Sequence, residues 1–480
     1  MLVVKQKLEK TFYRIHILIN KIRRYLSAAQ IVVFSFLLII ALGSLLLLLP
    51  VSSADGKDSP AYIDCLFTAV SATCVTGLVT VTTAIQWSVF GQIIIIIMIQ
   101  IGGLGLITLF TYFFVNIGRK ISMKERMTIQ ASFNQNTSQG MVRMVRMAIR
   151  GTFLAEGIGA ILLTLFFWLD QGVTFGRAVY YGIFHSISSF CNAGFDVIGE
   201  TSLQEFAGDA LLNLTVMMLI IIGGIGFTVW KDILTYLKYH WGKMKGRPVK
   251  FSLHTKLAVF TTLILIISGA VYFFATEYTN PNTLGELSLG GKIWAAFFQS
   301  ATLRTAGFFT INQCTLTESS KFVSSLFMLI GGSPGGTAGG IKTVTLAIAA
   351  CSIWTTLKGR GNIEIMKRRI PMNTLRKSIT VMGVMLILWF VVATVLEFTE
   401  TGSAFSYTFM DLLYEVSSAL GTVGVTTGIT PYLSIAGKIL IMVCMFIGRL
   451  GPISIAASLQ HKLHVSDDNI KYPEEDVLIG

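Results

Sequence analysis

Four short segments of the chain share one pattern of small and hydroxyl-bearing residues closing on glycine. They are Val75-Thr76-Gly77, Asn192-Ala193-Gly194, Thr305-Ala306-Gly307 and Thr422-Val423-Gly424. Each has the same approach: Ser-Ala-Thr-Cys from Ser71, Ser-Ser-Phe-Cys from Ser188, Ser-Ala-Thr-Leu from Ser300 and Ser-Ser-Ala-Leu from Ser417. The glycines lie 117, 113 and 117 residues apart (194−77, 307−194, 424−307), so one unit is used four times. A dehydrated cation needs a ring of oxygen ligands, and extended backbone with its carbonyls turned inward supplies one without a fixed charge. Aligning successive carbonyls forces backbone angles that a side chain resists, which is what glycine is for. The unit is too long for a solenoid repeat; four copies around an axis make a pore. The twelve residues of the triplets are the candidate ion-binding set.

Other chemistries find no constellation. The six histidines (His16, His185, His240, His254, His461, His464) are scattered, and no Ser/His/Asp or paired-carboxylate pattern accompanies them. The six cysteines show no Cys-x-x-Cys or Cys/His ligand spacing. Neither an enzyme nor a metal cofactor is expected.

Those loops must be positioned by membrane helices. The 480 residues are 53% hydrophobic and only 13% charged, far from soluble usage, which predicts an all-α integral membrane protein. The uncharged run Ala28 to Leu49 follows basic residues and would make about 33 Å of helix, long enough to be a first span rather than a cleaved signal. Further spans are expected near 85–115, 147–169, 208–237, 255–276, 320–357, 378–398 and 433–459. The segments before the glycine motifs, such as Phe175 to Phe190 and Ile293 to Leu303, are too short to cross a core of about 30 Å and must re-enter as half-helices. Lipid cannot hydrogen-bond a bare loop, so the motifs must line a wet cavity or be buried in protein.

The net charge of +13 is a matter of topology rather than nucleic acid. Of 38 Lys and Arg, 30 sit in residues 1–27, 116–150, 231–256, 358–377 and the tail, while the motif-bearing segments hold six (Lys57, Arg177, Lys292, Arg304, Lys321, Lys438). By the positive-inside rule the basic segments and both termini face the cytoplasm, and the motifs face outward. The expected organisation is a basic N-terminus (1–27), pore repeats over 28–115, 116–240, 241–357 and 358–460, and a C-terminal tail (461–480).

The second spans share Ile-Gly-Gly-Leu-Gly from Ile101, Ile-Gly-Gly-Ile-Gly from Ile222, Ile-Gly-Gly-Ser-Pro-Gly-Gly from Ile330 and Ile-Gly-Arg-Leu-Gly from Ile447. In the first two copies the glycines are expected to serve close helix packing. In the third, six glycines and Pro334 oppose helix by on the order of 9 kcal/mol, so that span should break. A gate is expected there, built from Gly331, Gly332, Ser333, Pro334, Gly335, Gly336, Thr337, Gly339, Gly340 and Lys342 together with Arg449, which stands where the first two repeats have Gly103 and Gly224. Lys342 is either an anchor of this loop or a snorkelling residue. The stretch lacks the Gly-Lys-Ser/Thr ending of a phosphate-cradling loop. Arg304 could touch permeating ions or orient its loop through nearby carboxylates, and Glu156 is expected to partner a polar group between helices.

Thr422-Val423-Gly424 matches the Thr-Val-Gly start of the familiar potassium filter, and with its three variants the chain resembles, over essentially its whole length, the Trk/Ktr/HKT superfamily of potassium transporters. Eight spans, with no additional pair before the first repeat, are most similar to the membrane subunits of the bacterial Ktr branch. The resemblance implies four units around one pore, potassium as the transported substrate and, with glycine at all four positions, preference for potassium over sodium. It implies that residues 331–340 are an intramembrane gating loop. It further implies a homodimer in the cell membrane, sodium-stimulated uptake of symport type, and gating by a cytoplasmic KtrA-like ring that itself binds ATP or ADP, with no cofactor on this chain. The basic inner loops and the lack of a sensing domain of the chain's own point to the same kind of partner. Two alternatives stand beside this: a sodium-selective or weakly selective relative, and a broken-helix secondary transporter. The latter predicts inverted repeats, whereas these four motifs face one way.

Overall fold

The structure, a computed structural model, describes residues 26–116, 126–127, 130, 140–242, 249–359, 363–401 and 406–459. The basic N-terminus, the C-terminal tail and much of the basic connections expected from the sequence lie outside them.

Each repeat begins with a long helix: α1 (Ala28–Leu47), α5 (Met141–Leu165), α9 (Leu253–Glu277) and α13 (Met372–Glu400). All four are long and apolar enough to cross a membrane. They present large apolar side chains outward; Leu38, Leu42 and Leu45 of α1 are all more than half exposed. Such a surface is stable only against lipid or another protein.

A short helix follows in each repeat: α2 (Tyr62–Cys74), α6 (Phe175–Cys191), α10 (Leu289–Thr302) and α14 (Phe409–Gly421). At 13 to 17 residues they are about 20 to 26 Å long. The last turn of each is wholly buried. The long helices therefore form the periphery and the short ones the interior.

The second helices are α3 (Val89–Leu104), α7 (Ala210–Gly224), α11 (Glu318–Leu329) and α15 (Ile435–Leu450), continued by α4 (Leu106–Asn116), α8 (Phe227–His240), α12 (Thr343–Leu357) and α16 (Pro452–Leu459). Each second helix packs on the short helix of the next repeat: α3 on α6, α7 on α10, α11 on α14, and α15 back on α2. The four units thus close on themselves. Side-chain ties mark three of these junctions, Lys438 Nζ to Asp64 at 2.8 Å, Tyr180 Oη to Gln92 at 2.5 Å and Lys321 Nζ to Asp411 at 3.0 Å.

The structure departs from the expected continuous second spans, because all four are broken and not the third alone. The last glycine of the shared signature takes a positive φ in three of them, 81° at Gly105, 95° at Gly226 and 79° at Gly451. Helix cannot continue through that conformation. The bend reaches 99° between α7 and α8 and 93° between α15 and α16. The preceding glycines do serve close packing: a side chain on Gly102, Gly223 or Gly448 would strike the carbonyl of Thr73, Phe190 or Leu420, at the C-terminal end of a short helix. Two two-residue strands, β1 (Glu364–Ile365) and β2 (Arg368–Arg369), pair antiparallel in the one sheet among the described residues.

Candidate functional site

Every short helix ends by turning sharply into its glycine loop. The first residue of each triplet sits in the left-handed region, with φ of 58° at Val75, 62° at Asn192, 71° at Thr305 and 54° at Thr422. Three of these are β-branched, where that conformation costs of order 1–3 kcal/mol each and must be imposed by the surroundings. What imposes it is backbone pairing to the helix end. The amides of Thr76, Ala193 and Val423 donate to the carbonyls of Ser71, Ser188 and Ser418, each at 2.8 Å, and that of Ala306 donates to Thr302 at 2.9 Å. Helix-end hydroxyls add to this, since the amides of Gly77 and Gly424 donate to Ser71 Oγ and Ser418 Oγ, both at 3.0 Å. Ser188 Oγ donates to the Phe195 carbonyl at 2.7 Å. With the amides satisfied from behind, the carbonyls of the middle residues are left to point elsewhere.

They point at one another's repeats. A Cβ built on Gly77 would strike the Ala193 carbonyl oxygen; on Gly194 it would lie 2.8 Å from the Ala306 oxygen; on Gly307, 2.7 Å from the Val423 oxygen; on Gly424 it would strike the Thr76 oxygen. The four glycines therefore adjoin in the order one, two, three, four and back to one. All have positive φ, from 69° to 98°. Any side chain here meets both a forbidden conformation and a neighbouring carbonyl. The C-terminal ends of four helices, each carrying about half a negative charge, converge on this ring, and they favour a cation at its centre.

Residues 330–342 lie against the glycine loops. Ile330 and Ile341 form a parallel bridge that pins the loop's two ends together, with the Gly331 amide donating to the Ile341 carbonyl at 2.9 Å. The second repeat holds the middle: the amides of Ser333 and Thr337 donate to the carbonyls of Gly224 and Gly223 at 2.8 and 3.1 Å, and Phe227 donates to Gly335 at 3.0 Å. Thr337 Oγ1 donates to the Phe190 carbonyl at 3.1 Å, and Ser333 Oγ lies 2.7 Å from Thr343 Oγ1. Gly335 and Gly340 take φ of 75° and 62°. Side chains on Gly332 and Gly336 would run into the Gly224 carbonyl, and one on Gly339 into Thr422. Pro334 stands at the turn. Lys342 is an anchor, its ammonium donating to Ala338 and Gly339 at 2.6 and 3.2 Å. The Arg449 guanidinium donates to the carbonyl of Thr337, and to those of Gly102 at 2.5 Å and Gly103 at 3.1 Å. It fastens the loop to the first repeat from a helix of the fourth.

Arg304 corrects its expectation: the guanidinium donates to the Gly331 carbonyl at 3.4 Å, not to a carboxylate, and so joins the third glycine loop to the start of the 330–342 loop. Glu156 accepts from Gln100 Nε2 at 3.3 Å, between α5 and α3. In the connection between α6 and α7, burial pushes the Asp196 carboxyl up to about 7, against the pull of bonds from the Gly199 and Ile198 amides and the Ser202 hydroxyl. Ser71, Ser188 and Ser418, which support the loops, share one position six residues before the filter glycine, a signal present in three of the four repeats; the third has Ala301 there.

Apolar helices around a closed set of buried glycine loops define a multi-pass, all-α membrane protein. The chain belongs to the family described as TrkH, cation transport protein, whose model matches residues 14–472. Among its relatives, the potassium/sodium uptake protein NtpJ of Enterococcus hirae is 37% identical over 464 residues, 96% of this chain and 99% of that one. The Ktr system potassium uptake protein B of Bacillus subtilis is 38% identical over 452 residues, 94% and 96% of the two chains. The crystal structure of the potassium transporter TrkH from Vibrio parahaemolyticus shares the fold, with a TM-score of 0.68 at 18% identity, covering 90% of this chain and 84% of that one.

Proposed function

We propose that this chain is the ion-translocating subunit of a potassium uptake system, in which Gly77, Gly194, Gly307 and Gly424 and the carbonyls before them form one selectivity filter. The observation that carries this reading is the cyclic adjacency of the four glycines, each meeting a carbonyl oxygen of another repeat. A ring of carbonyls backed by four helix C-termini replaces the water of a dehydrated cation without binding it irreversibly. Relatives named as potassium uptake proteins over nearly the whole length support potassium as the substrate. Eight spans, counting each broken pair as one, put both termini and the basic connections in the cytoplasm and the filter mouth outside.

The loop from Gly331 to Thr343 with Arg449 is the gate. Arg449 bonds the loop through Thr337, and its charge about 5 Å from a potassium ion would cost about 3 kcal/mol at an effective dielectric near 20. That slows passage by roughly a hundredfold. A loop pinned by backbone bonds to the second repeat and by one arginine can withdraw when that arginine moves. The relatives that carry the name of a Ktr system support a multi-component assembly; in our reading it is a homodimer gated by a cytoplasmic, KtrA-like ring holding ATP or ADP, with sodium-stimulated uptake.

The name of NtpJ, a potassium/sodium uptake protein, favours one second reading, a weakly selective cation transporter. Flux of potassium against sodium in proteoliposomes containing the purified chain, with and without an added nucleotide-binding subunit, tests both. A large potassium excess that responds to the added subunit supports the first reading, and near-equal fluxes support the second.

A further inference from the structure

Nine residues before its filter glycine each short helix carries an interior side chain: Thr68, His185, Phe298 and Glu415 (77−68, 194−185, 307−298, 424−415). All four are buried, and Glu415 is fully so. Their chemistry divides the repeats into two opposite pairs.

In the fourth repeat Glu415 Oε2 accepts from Thr426 Oγ1 at 2.8 Å and Oε1 accepts from the Thr430 hydroxyl. Thr426 Oγ1 in turn accepts from the Gly428 amide at 2.9 Å and lies 3.1 Å from Thr430 Oγ1. One carboxylate thus grips both ends of the segment that leaves the filter. In the second repeat His185 Nδ1 lies 2.7 Å from the Tyr181 carbonyl. A carbonyl only accepts, so Nδ1 carries the proton and Nε2 is left to accept from the Val197 amide, at a longer 3.5 Å. Val197 is three residues beyond its filter glycine. At this register the first and third repeats have no such strut: among the described residues the Thr68 hydroxyl has no hydrogen-bond partner, and Phe298 has none to offer, so the third repeat holds its outgoing segment from other positions, Thr302 Oγ1 donating to the Phe308 carbonyl and Gln299 pairing with Gln313.

Resting on the filter reading above, we infer that Glu415 is a positioning residue for ion discrimination. Its carboxylate fixes the outgoing strand at Thr426 and Thr430, and so sets how far the Val423 carbonyl can move when a smaller ion enters. Those two bonds lie within two to six residues of Gly424, close enough to stiffen it directly. The His185 contact is the weaker counterpart across the ring.

The test is the ratio of potassium to sodium flux in proteoliposomes of the full chain. Glu415→Ala should lower the ratio about tenfold. Thr430→Val, which removes one hydroxyl outside the helix at constant shape, should lower it about threefold and guards against a folding failure at Glu415. Glu415→Gln should restore most of the ratio, because its amide still accepts one hydroxyl and can donate to the other. Thr68→Val, at the equivalent but unbonded position, should match the parent. Lower flux of both ions at an unchanged ratio in Glu415→Ala and Thr430→Val would overturn the inference and leave Glu415 a packing residue. A Gln variant no better than Ala would overturn it too, by showing that charge and not position matters. Gly424→Ser separates this from the filter reading: if it lowers the ratio while the Glu415 variants do not, only the positioning role has failed.

Discussion

Replacing Arg449 with Ala tests the gate from two physical directions at once. The side chain donates to the carbonyls of Thr337, Gly102 and Gly103, and hydrogen bonds from a charged donor are worth about 1.5–3 kcal/mol each. The loop keeps its bonds from Ser333 and Thr337 to Gly224 and Gly223, so it loosens rather than unfolds. Removing the charge also removes the repulsion of about 3 kcal/mol that an ion about 5 Å away would meet. The two effects act in the same direction. Resting potassium flux in proteoliposomes should therefore rise by about a hundredfold at the electrostatic limit, with the potassium-to-sodium ratio unchanged because the filter is not touched. Arg449→Lys keeps the charge but not the fork of donors, so it should fall between. Deleting Pro334 to Gly339 should open the path in the same sense. A folded Arg449→Ala protein whose resting flux is no higher than the parent's would refute the reasoning and put the gate elsewhere.

Two further predictions concern the frame around the filter. Lys321→Ala leaves the Asp411 carboxylate, its side chain only 12% exposed, without its partner across the α11–α14 junction. It should cost about 3–5 kcal/mol, read as a lowered melting temperature in detergent, while Lys321→Met combined with Asp411→Leu recovers most of the loss. Burial raises the Asp196 carboxyl from its ordinary 3.8 to about 7, so folding favours the protonated form. That contribution is complete below about pH 4 and is lost as pH rises through 7. Thermal unfolding from pH 4 to 8 should show a decline that Asp196→Asn flattens, and an identical profile in the variant would count against the assignment.

The family and the all-α membrane class were legible because they rest on quantities a sequence displays directly, apolar runs long enough to span and a motif repeated at near-constant spacing. The glycine-rich stretch from Gly331 announced its own break, since six glycines and a proline cannot sustain helix. Gly451 is followed by Pro452, a break signal legible in the sequence, whereas the breaks at Gly105 and Gly226 were hidden inside apolar runs, where glycine is compatible with helix and only its neighbours decide its φ. Long-range acceptors were hidden for the same reason. Arg304 finds a carbonyl 27 residues on, and Lys438 reaches an aspartate 374 residues away, so no local pattern names either partner. Glu415 could have been singled out by comparing the four repeats at one register, because it is the carboxylate in a row otherwise holding Thr68, His185 and Phe298.

The central claim is that the four glycines form one filter, and the measurement that bears on it most directly is the potassium-to-sodium flux ratio of Gly77→Ser, Gly194→Ser, Gly307→Ser and Gly424→Ser beside the parent in proteoliposomes. A serine Cβ at any of them adopts a disfavoured conformation and pushes on a carbonyl of another repeat, so the ratio should fall in all four, by about tenfold or more for a displacement costing about 1.4 kcal/mol. Four folded variants that keep the parent's ratio would contradict the account.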